Sequence, residues 1–213
     1  MTARTLMLEN IRSSLAKSAA FESLYKHLQP SEVRPRRPAS YASQQDLTDR
    51  FAAELTAVCG EVHRVANNER TFDAIRQILS GLKAKRIATS EIGLFEGGGL
   101  SGIEVVNDPS REDLFTVDAG ISTAQSAIAE TGTLVLRSSM ERHRVVSLVP
   151  PIHICVLKTT DIRPSMYDVL EELSNNIDPT ITFITGPSRT SDIELTLAIG
   201  VHGPKRLIVV LID

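Results

Sequence analysis

The sequence predicts an α/β protein: a three-layer α/β/α sandwich on a mostly parallel sheet, with an N-terminal helical arm. Three observations lead there. From Ser43 onward, apolar stripes at helical spacing alternate with short apolar segments, the order expected of repeated βα units. Several of those segments are unbroken runs of Val, Ile and Leu, as in strands covered on both faces. The chain is also long enough: 213 residues, 42% of them hydrophobic, can bury roughly 70% of their unfolded surface without disulfides or metals.

Taken in order, residues 1–40 form a helical arm and linker, and residues 41–213 a single domain. In the arm, Leu8, Ile11 and Leu15 keep helical spacing, and Leu24 and Leu28 resume it after Ser18 to Ala20, which predicts one or two amphipathic helices. The stripe can pack on the domain itself or on a partner. Arg34-Pro35-Arg36-Arg37-Pro38 ends the helical pattern, because each Pro lacks an amide donor and restricts the residue before it. Ser43 is a plausible N-cap for a helix carrying Leu47, Phe51, Leu55 and Val58. A second helix carries Phe72, Ile75, Leu79 and Leu82 and ends at Gly81 or soon after. Strands are expected at 61–65, 86–89, 103–106, 133–137, 152–157, 181–185 and 207–212. Helices are expected from Ser122 to Ala129 and around Met166, Val169, Leu170 and Leu173.

Composition excludes several classes of function. The formal charge is −3, with seven bases against three acids in residues 1–40, so the domain is acidic and unsuited to holding nucleic acid. Nine aromatics and no Trp provide few stacking platforms for single strands. No apolar run approaches the roughly 18 residues of a membrane span, and Met1 to Leu8 lacks a signal peptide's apolar middle, so a cytoplasmic location is expected. Cys59 and Cys155, far apart and each in apolar sequence, read as small buried hydrophobes. They cannot supply the four thiolates of an iron–sulfur cluster.

Four segments carry candidate chemistry. Around Gly98 and Gly99, four glycines in six positions allow a ligand to approach the backbone, although the loop lacks the Gly-Lys-Ser/Thr ending of a nucleotide-binding loop. Glu130, with Thr131 and Gly132, ends the helix expected from Ser122, where the dipole opposes an acid. Its carboxylate can act as nucleophile or base, or can simply bond to nearby amides. Gly186, Ser188, Arg189 and Thr190 follow an apolar strand directly and form the outline of an anion cradle, with Asp192 and Glu194 available to orient Arg189, bind a cation or cap a helix. His202 and Gly203 occupy a turn in which an imidazole can serve as acid or base. His153, by contrast, enters a strand and reads as a core histidine. No ligand spacing points to a metal.

In these motifs the chain resembles the LUD-domain family of lactate utilization proteins. The resemblance rests on Ala129-Glu130-Thr131-Gly132-Thr133-Leu134, Ser147-Leu148-Val149-Pro150 with His153-Ile154, Thr185-Gly186-Pro187-Ser188-Arg189-Thr190 with Asp192-Ile193-Glu194, and Gly200-Val201-His202-Gly203-Pro204. It implies a fold similar to the sugar-phosphate isomerase, ribose-5-phosphate isomerase and CoA-transferase group. It also implies a place in a system that oxidises L-lactate to pyruvate beside two iron–sulfur partners, lactate utilization proteins A and B. On that reading the chain itself binds no cofactor and has no independent dehydrogenase activity. It would be a non-redox component that binds a small carboxylate or other anion, or assembles the complex, with a homo-oligomer left open. The alternative implied by the fold group is an acyl-CoA transferase using Glu130 as nucleophile.

Overall fold

The structure, a computed structural model, describes residues 3–16, 43–90, 100, 102–139, 144–174, 178–190, 198–199 and 203–213. The chain divides into two compact units, Met1–Arg36 and Arg37–Asp213. In the first, α1 (Ala3–Ala16) is helical as its spacing predicts, and Leu6, Met7 and Leu8 are exposed. The second arm helix and the Arg/Pro linker lie outside the described residues.

The second unit opens with α2 (Gln44–Ala57). Ser43 caps it, its side chain accepting from the Asp46 amide at 3.1 Å, and Leu47, Phe51 and Leu55 form the buried face. β1 (Glu61–Val65) leads to α3 (Asn68–Gly81), capped by Asn67 and buried through Ile75 and Leu79. There follow β2 (Arg86–Thr89), β3 (Glu104–Val106), the short α4 (Arg111–Leu114), β4 (Ala119–Thr123), β5 (Ser126–Ile128) and β6 (Thr133–Arg137). A 3-10 turn at Arg144–Ser147 precedes β7 (Ile152–Lys158) and β8 (Ile162–Arg163), and α5 (Met166–Ser174) precedes β9 (Ile181–Ile184). The short pair β10 (Arg189–Thr190) and β11 (Ala198–Ile199) precedes β12 (Arg206–Ile212).

Six strands form one sheet in the order β1-β12-β7-β4-β2-β3, and every pairing in it is parallel. The unbroken apolar runs now have their reason. In β7 and β12, alternate residues enter opposite cores: Cys155, Leu157, Val209 and Leu211 pack beneath α2, whereas Ile154, Val156, Ile208 and Val210 pack against α3. A polar residue on either face would lose its water.

All seven strands predicted from sequence are present to within a residue at each end, but three features differ. First, Ser122 to Ala129 is not a helix. Ala and Gln favour one locally, yet the segment runs from β4 into β5, with Ala127 facing the α2 core and Ile128 facing α5. Its amides are taken by neighbouring strands: Ala124 donates to Val156 O at 2.9 Å and Ala129 to Arg163 O at 2.8 Å. Second, 133–137 and 181–184 do not join the parallel sheet. They form a second sheet, β8-β5-β6-β9, in which β6 is antiparallel to both neighbours. One face of this sheet covers the parallel sheet through Leu134 and Leu136, and the other buries Val135 under α5. Third, Cys155 is buried as expected but Cys59 is exposed, because the chain leaves α2 through a left-handed residue there (φ 68°) and turns the thiol outward.

Gly132, in the turn joining β5 and β6, has φ 63°, and a Cβ at that position would lie 2.3 Å from Leu55 N. Gly132→Ala is therefore expected to destabilise the domain by about 1–3 kcal/mol through overpacking, with further strain from the left-handed backbone. Denaturant unfolding of the two proteins measures it, and an unchanged midpoint would refute the close packing of this turn on α2.

Candidate functional site

A cavity of about 350 Å³ opens between the two sheets. The parallel sheet contributes His153 and Leu207, each the second residue of its strand and paired in register, so the cavity borders the amino-terminal ends of β7 and β12. The polar stretch after Ile184 does follow an apolar strand directly, as the sequence predicts, but not a strand of the parallel sheet. The strand before it, β9, belongs to the antiparallel part of the second sheet.

Two turns and the 3-10 segment complete the wall. After β9 the chain passes through Thr185 and Gly186, whose φ of 84° brings the backbone so close to α2 that a Cβ would lie 2.8 Å from Val58 O. Ser188 N then donates to Pro204 O at 2.8 Å, joining this turn to the one before β12. There a Cβ on Gly203 would lie 3.0 Å from that of Ser188. On the other side, Gly120 lies beside His153 in β4, and a side chain there would meet Val146 O at 2.0 Å. The bare backbone of Gly120 lets the 3-10 turn settle on the sheet and places Ser147 and Leu148 on the cavity wall. Phe183, Ile184 and Leu148 form the apolar part.

His153 is fully buried. Its Nε2 lies 2.8 Å from Ser122 Oγ, and Nδ1 has no hydrogen-bond partner among the described residues. Burial pushes its pKa down to about 3, because an imidazolium there would lose its hydration without gaining a counter-ion. The ring is neutral at physiological pH. A chain of hydroxyls reaches the cavity from the other side: Thr131 Oγ1 to Thr133 Oγ1 and Thr133 Oγ1 to Thr185 Oγ1, each 2.7 Å.

Of the residues singled out in the sequence, Gly186, Ser188 and Gly203 line the cavity, and Thr131 connects to it through the threonine chain. Glu130 does not line it. Its Oε1 accepts from Met166 N at 2.9 Å, at the start of α5, where the helix dipole favours an acid. With strands and no helix ahead of it, no dipole opposes the Glu130 carboxylate, contrary to the expectation from sequence. Gly132 is occupied by its contact with α2. Arg189 is exposed and donates to Val58 O at 2.9 Å and toward Cys59 Sγ at 3.1 Å, a cation at the C-terminus of α2. Thr190 lies on β10, its backbone paired with Ala198. Gly98, Gly99, Asp192, Glu194 and His202 lie outside the described residues. Gly120, Ser122, Ser147 and His153 carry no site role in the sequence pattern. The local signals were the motif that holds Ser147 and His153, and a glycine inside a buried strand, a sign of close backbone approach.

No lysine or arginine lines the cavity among the described residues. Nor do those residues hold a group of three or more side chains able to bind a metal ion, or a helix long and apolar enough to cross a membrane.

Residues 48–212 match the LUD domain. The chain belongs to the LUD domain family. An uncharacterized protein of Neisseria meningitidis serogroup B is 37% identical over 187 residues, 81% of this chain and 80% of that protein. Lactate utilization protein C of Oceanobacillus iheyensis is 30% identical, covering 81% of this chain and 82% of its own length, and that of Halalkalibacterium halodurans is 29% identical, with 83% and 85% covered. The crystal structure of a DUF162 family protein from Deinococcus radiodurans, 24% identical, superposes with a TM-score of 0.64 over 81% of this chain and 100% of that one, showing a shared fold.

The buried imidazole of this LUD domain makes stability sensitive to acid. Its pKa is about 3 in the folded protein against 6.5 as the ordinary value, so below 6.5 the unfolded chain takes up a proton that the folded one refuses. Stability is then expected to fall, by up to about 1.4 kcal/mol per pH unit, as the pH drops from 6.5 toward 3. This begins above the range of Asp113, which Ser110 and Arg86 hold down to about 2. Urea unfolding between pH 7 and pH 5 should show the slope in the unmodified protein and a flatter one in His153→Leu. Equal slopes would place the ring in contact with water.

Proposed function

We propose that this LUD domain protein is a non-redox component of L-lactate utilization and binds a small carboxylic acid in the cavity between its two sheets. The observation that carries the reading is that cavity. Its wall brings together the segments at Ser147–His153, Thr185–Ser188 and Gly203–Pro204, which lie far apart in sequence. Relatives named lactate utilization protein C, matched over most of their length, supply the pathway.

The wall is suited to a small acid held by hydrogen bonds rather than by an ion pair. Thr185 and Ser188 offer hydroxyls to a carboxylate, and the left-handed Gly186 lets the chain turn tightly between them. Leu148, Phe183 and Leu207 accept a short carbon chain. Electron transfer would fall to iron–sulfur partners, lactate utilization proteins A and B, in a cytoplasmic complex. This chain's own thiols do not fit a cluster: there are two, and Cys155 is sealed in the core. The acyl-transfer alternative draws no support from the geometry, since the Glu130 carboxylate holds the first amide of α5 away from the cavity wall.

Deletion of the gene should impair growth on L-lactate and spare growth on glucose. In the purified protein, L-lactate should raise the melting temperature. Ser188→Ala or Thr185→Val should each weaken binding by about twofold to tenfold, the effect of losing one neutral hydrogen bond. Normal growth on L-lactate of a deletion strain with no second copy would defeat the proposal.

A further inference from the structure

The cavity is larger than lactate needs. A heavy atom with its hydrogens takes about the 30 Å³ of a water molecule in the liquid, so L-lactate, with six heavy atoms, fills about 180 Å³. The cavity measures about 350 Å³. A ligand that leaves half of this space to water forgoes contact along the rest of the wall, and there the chemistry is apolar. Ile184 and Pro204 are half-buried on it, and Leu148 keeps 38% of its surface in solvent. The described lining holds no acid or base apart from His153, which is neutral, so a second charge on the ligand would find no partner.

We infer that the cavity is built for a monocarboxylic acid whose side chain is larger than the methyl group of lactate, a branched or aromatic acid of about nine to twelve heavy atoms. This rests on acid binding at the cavity as proposed above. The carboxylate keeps the hydroxyls of Thr185 and Ser188, and the side chain lies against Leu148, Ile184 and Pro204, displacing water from apolar surface. Each methylene fully buried in this way tightens binding by up to about fourfold. Leu148 is the specificity-determining residue of the three. It closes the 3-10 turn, its amide donating to Val145 O at 3.1 Å, and that turn is seated on the bare backbone of Gly120. Its side chain is therefore carried on a supported segment, yet enough of it is exposed to meet a ligand.

The test is calorimetry on the full chain at pH 7 with L-lactate, L-2-hydroxyisocaproate, L-3-phenyllactate and L-malate. L-2-hydroxyisocaproate should bind about tenfold to fiftyfold more tightly than L-lactate, the effect of three further carbons, and L-3-phenyllactate at least about tenfold more tightly. L-malate has as many heavy atoms as L-2-hydroxyisocaproate but carries a carboxylate in place of the isopropyl group. It should bind no better than L-lactate. Leu148→Ala should cut the advantage of L-2-hydroxyisocaproate by about threefold or more and change the affinity for L-lactate by less than about twofold. Should this variant fail to fold, the four acids on the unmodified protein decide alone. Equal affinity for L-lactate and L-2-hydroxyisocaproate, tighter binding of L-malate, or an advantage untouched in a folded Leu148→Ala overturns the inference while leaving acid binding intact. No binding of any of the four acids overturns the acid reading of the cavity and the size preference together.

Discussion

The last turn of α2 is the surface on which the two sheets are brought into register. Two turns of the second sheet rest on its backbone with no side chain between: Gly132 against Leu55 and Gly186 against Val58. Arg189 completes the contact by donating to the Val58 carbonyl, one of those a helix leaves unpaired at its C-terminus. Because α2 also buries Leu47, Phe51 and Leu55 in the core beneath the parallel sheet, its position relative to β7 and β12 is set independently. The distance between the sheets follows, and with it the width of the cavity.

That geometry explains a cavity built without a positive charge among its described lining. Arg189, the guanidinium nearest in sequence, serves the end of α2, where a cation is stabilised by the helix dipole. What remains on the wall are hydroxyls, backbone groups and a neutral imidazole enclosed by the core. Such a wall offers hydrogen bonds rather than a charge.

Much of the fold was legible in the chain. β7 and β12 announce themselves because both faces of a parallel sheet exclude water, so every position along 152–157 and 207–212 that the core surrounds needs an apolar or internally bonded residue. α2 and α3 are legible because one face of each is solvated, which imposes the 3.6-residue stripe, and Ser43 caps the first through its own side chain. The motif residues Gly186, Ser188 and Gly203 were legible as a group through their polar, turn-forming chemistry. Their gathering on one wall was not, since Ser188 meets Pro204 across a stretch whose path local sequence does not specify.

By itself, then, the sequence determined the alternating helices and strands, the parallel core and the family, because periodicity and short motifs are properties of neighbours along the chain. Only the tertiary structure decided the rest. Whether Ser122 to Ala129 became helix or strand depended on free edges of β6 and β8 outbidding a modest local preference. Whether Glu130 faced a substrate or an amide depended on where α5 began. Whether the buried His153 found a polar partner depended on Ser122, a residue 31 positions away. Each of these is a choice between partners distant in sequence, and such a choice is made by packing, which a linear pattern does not encode.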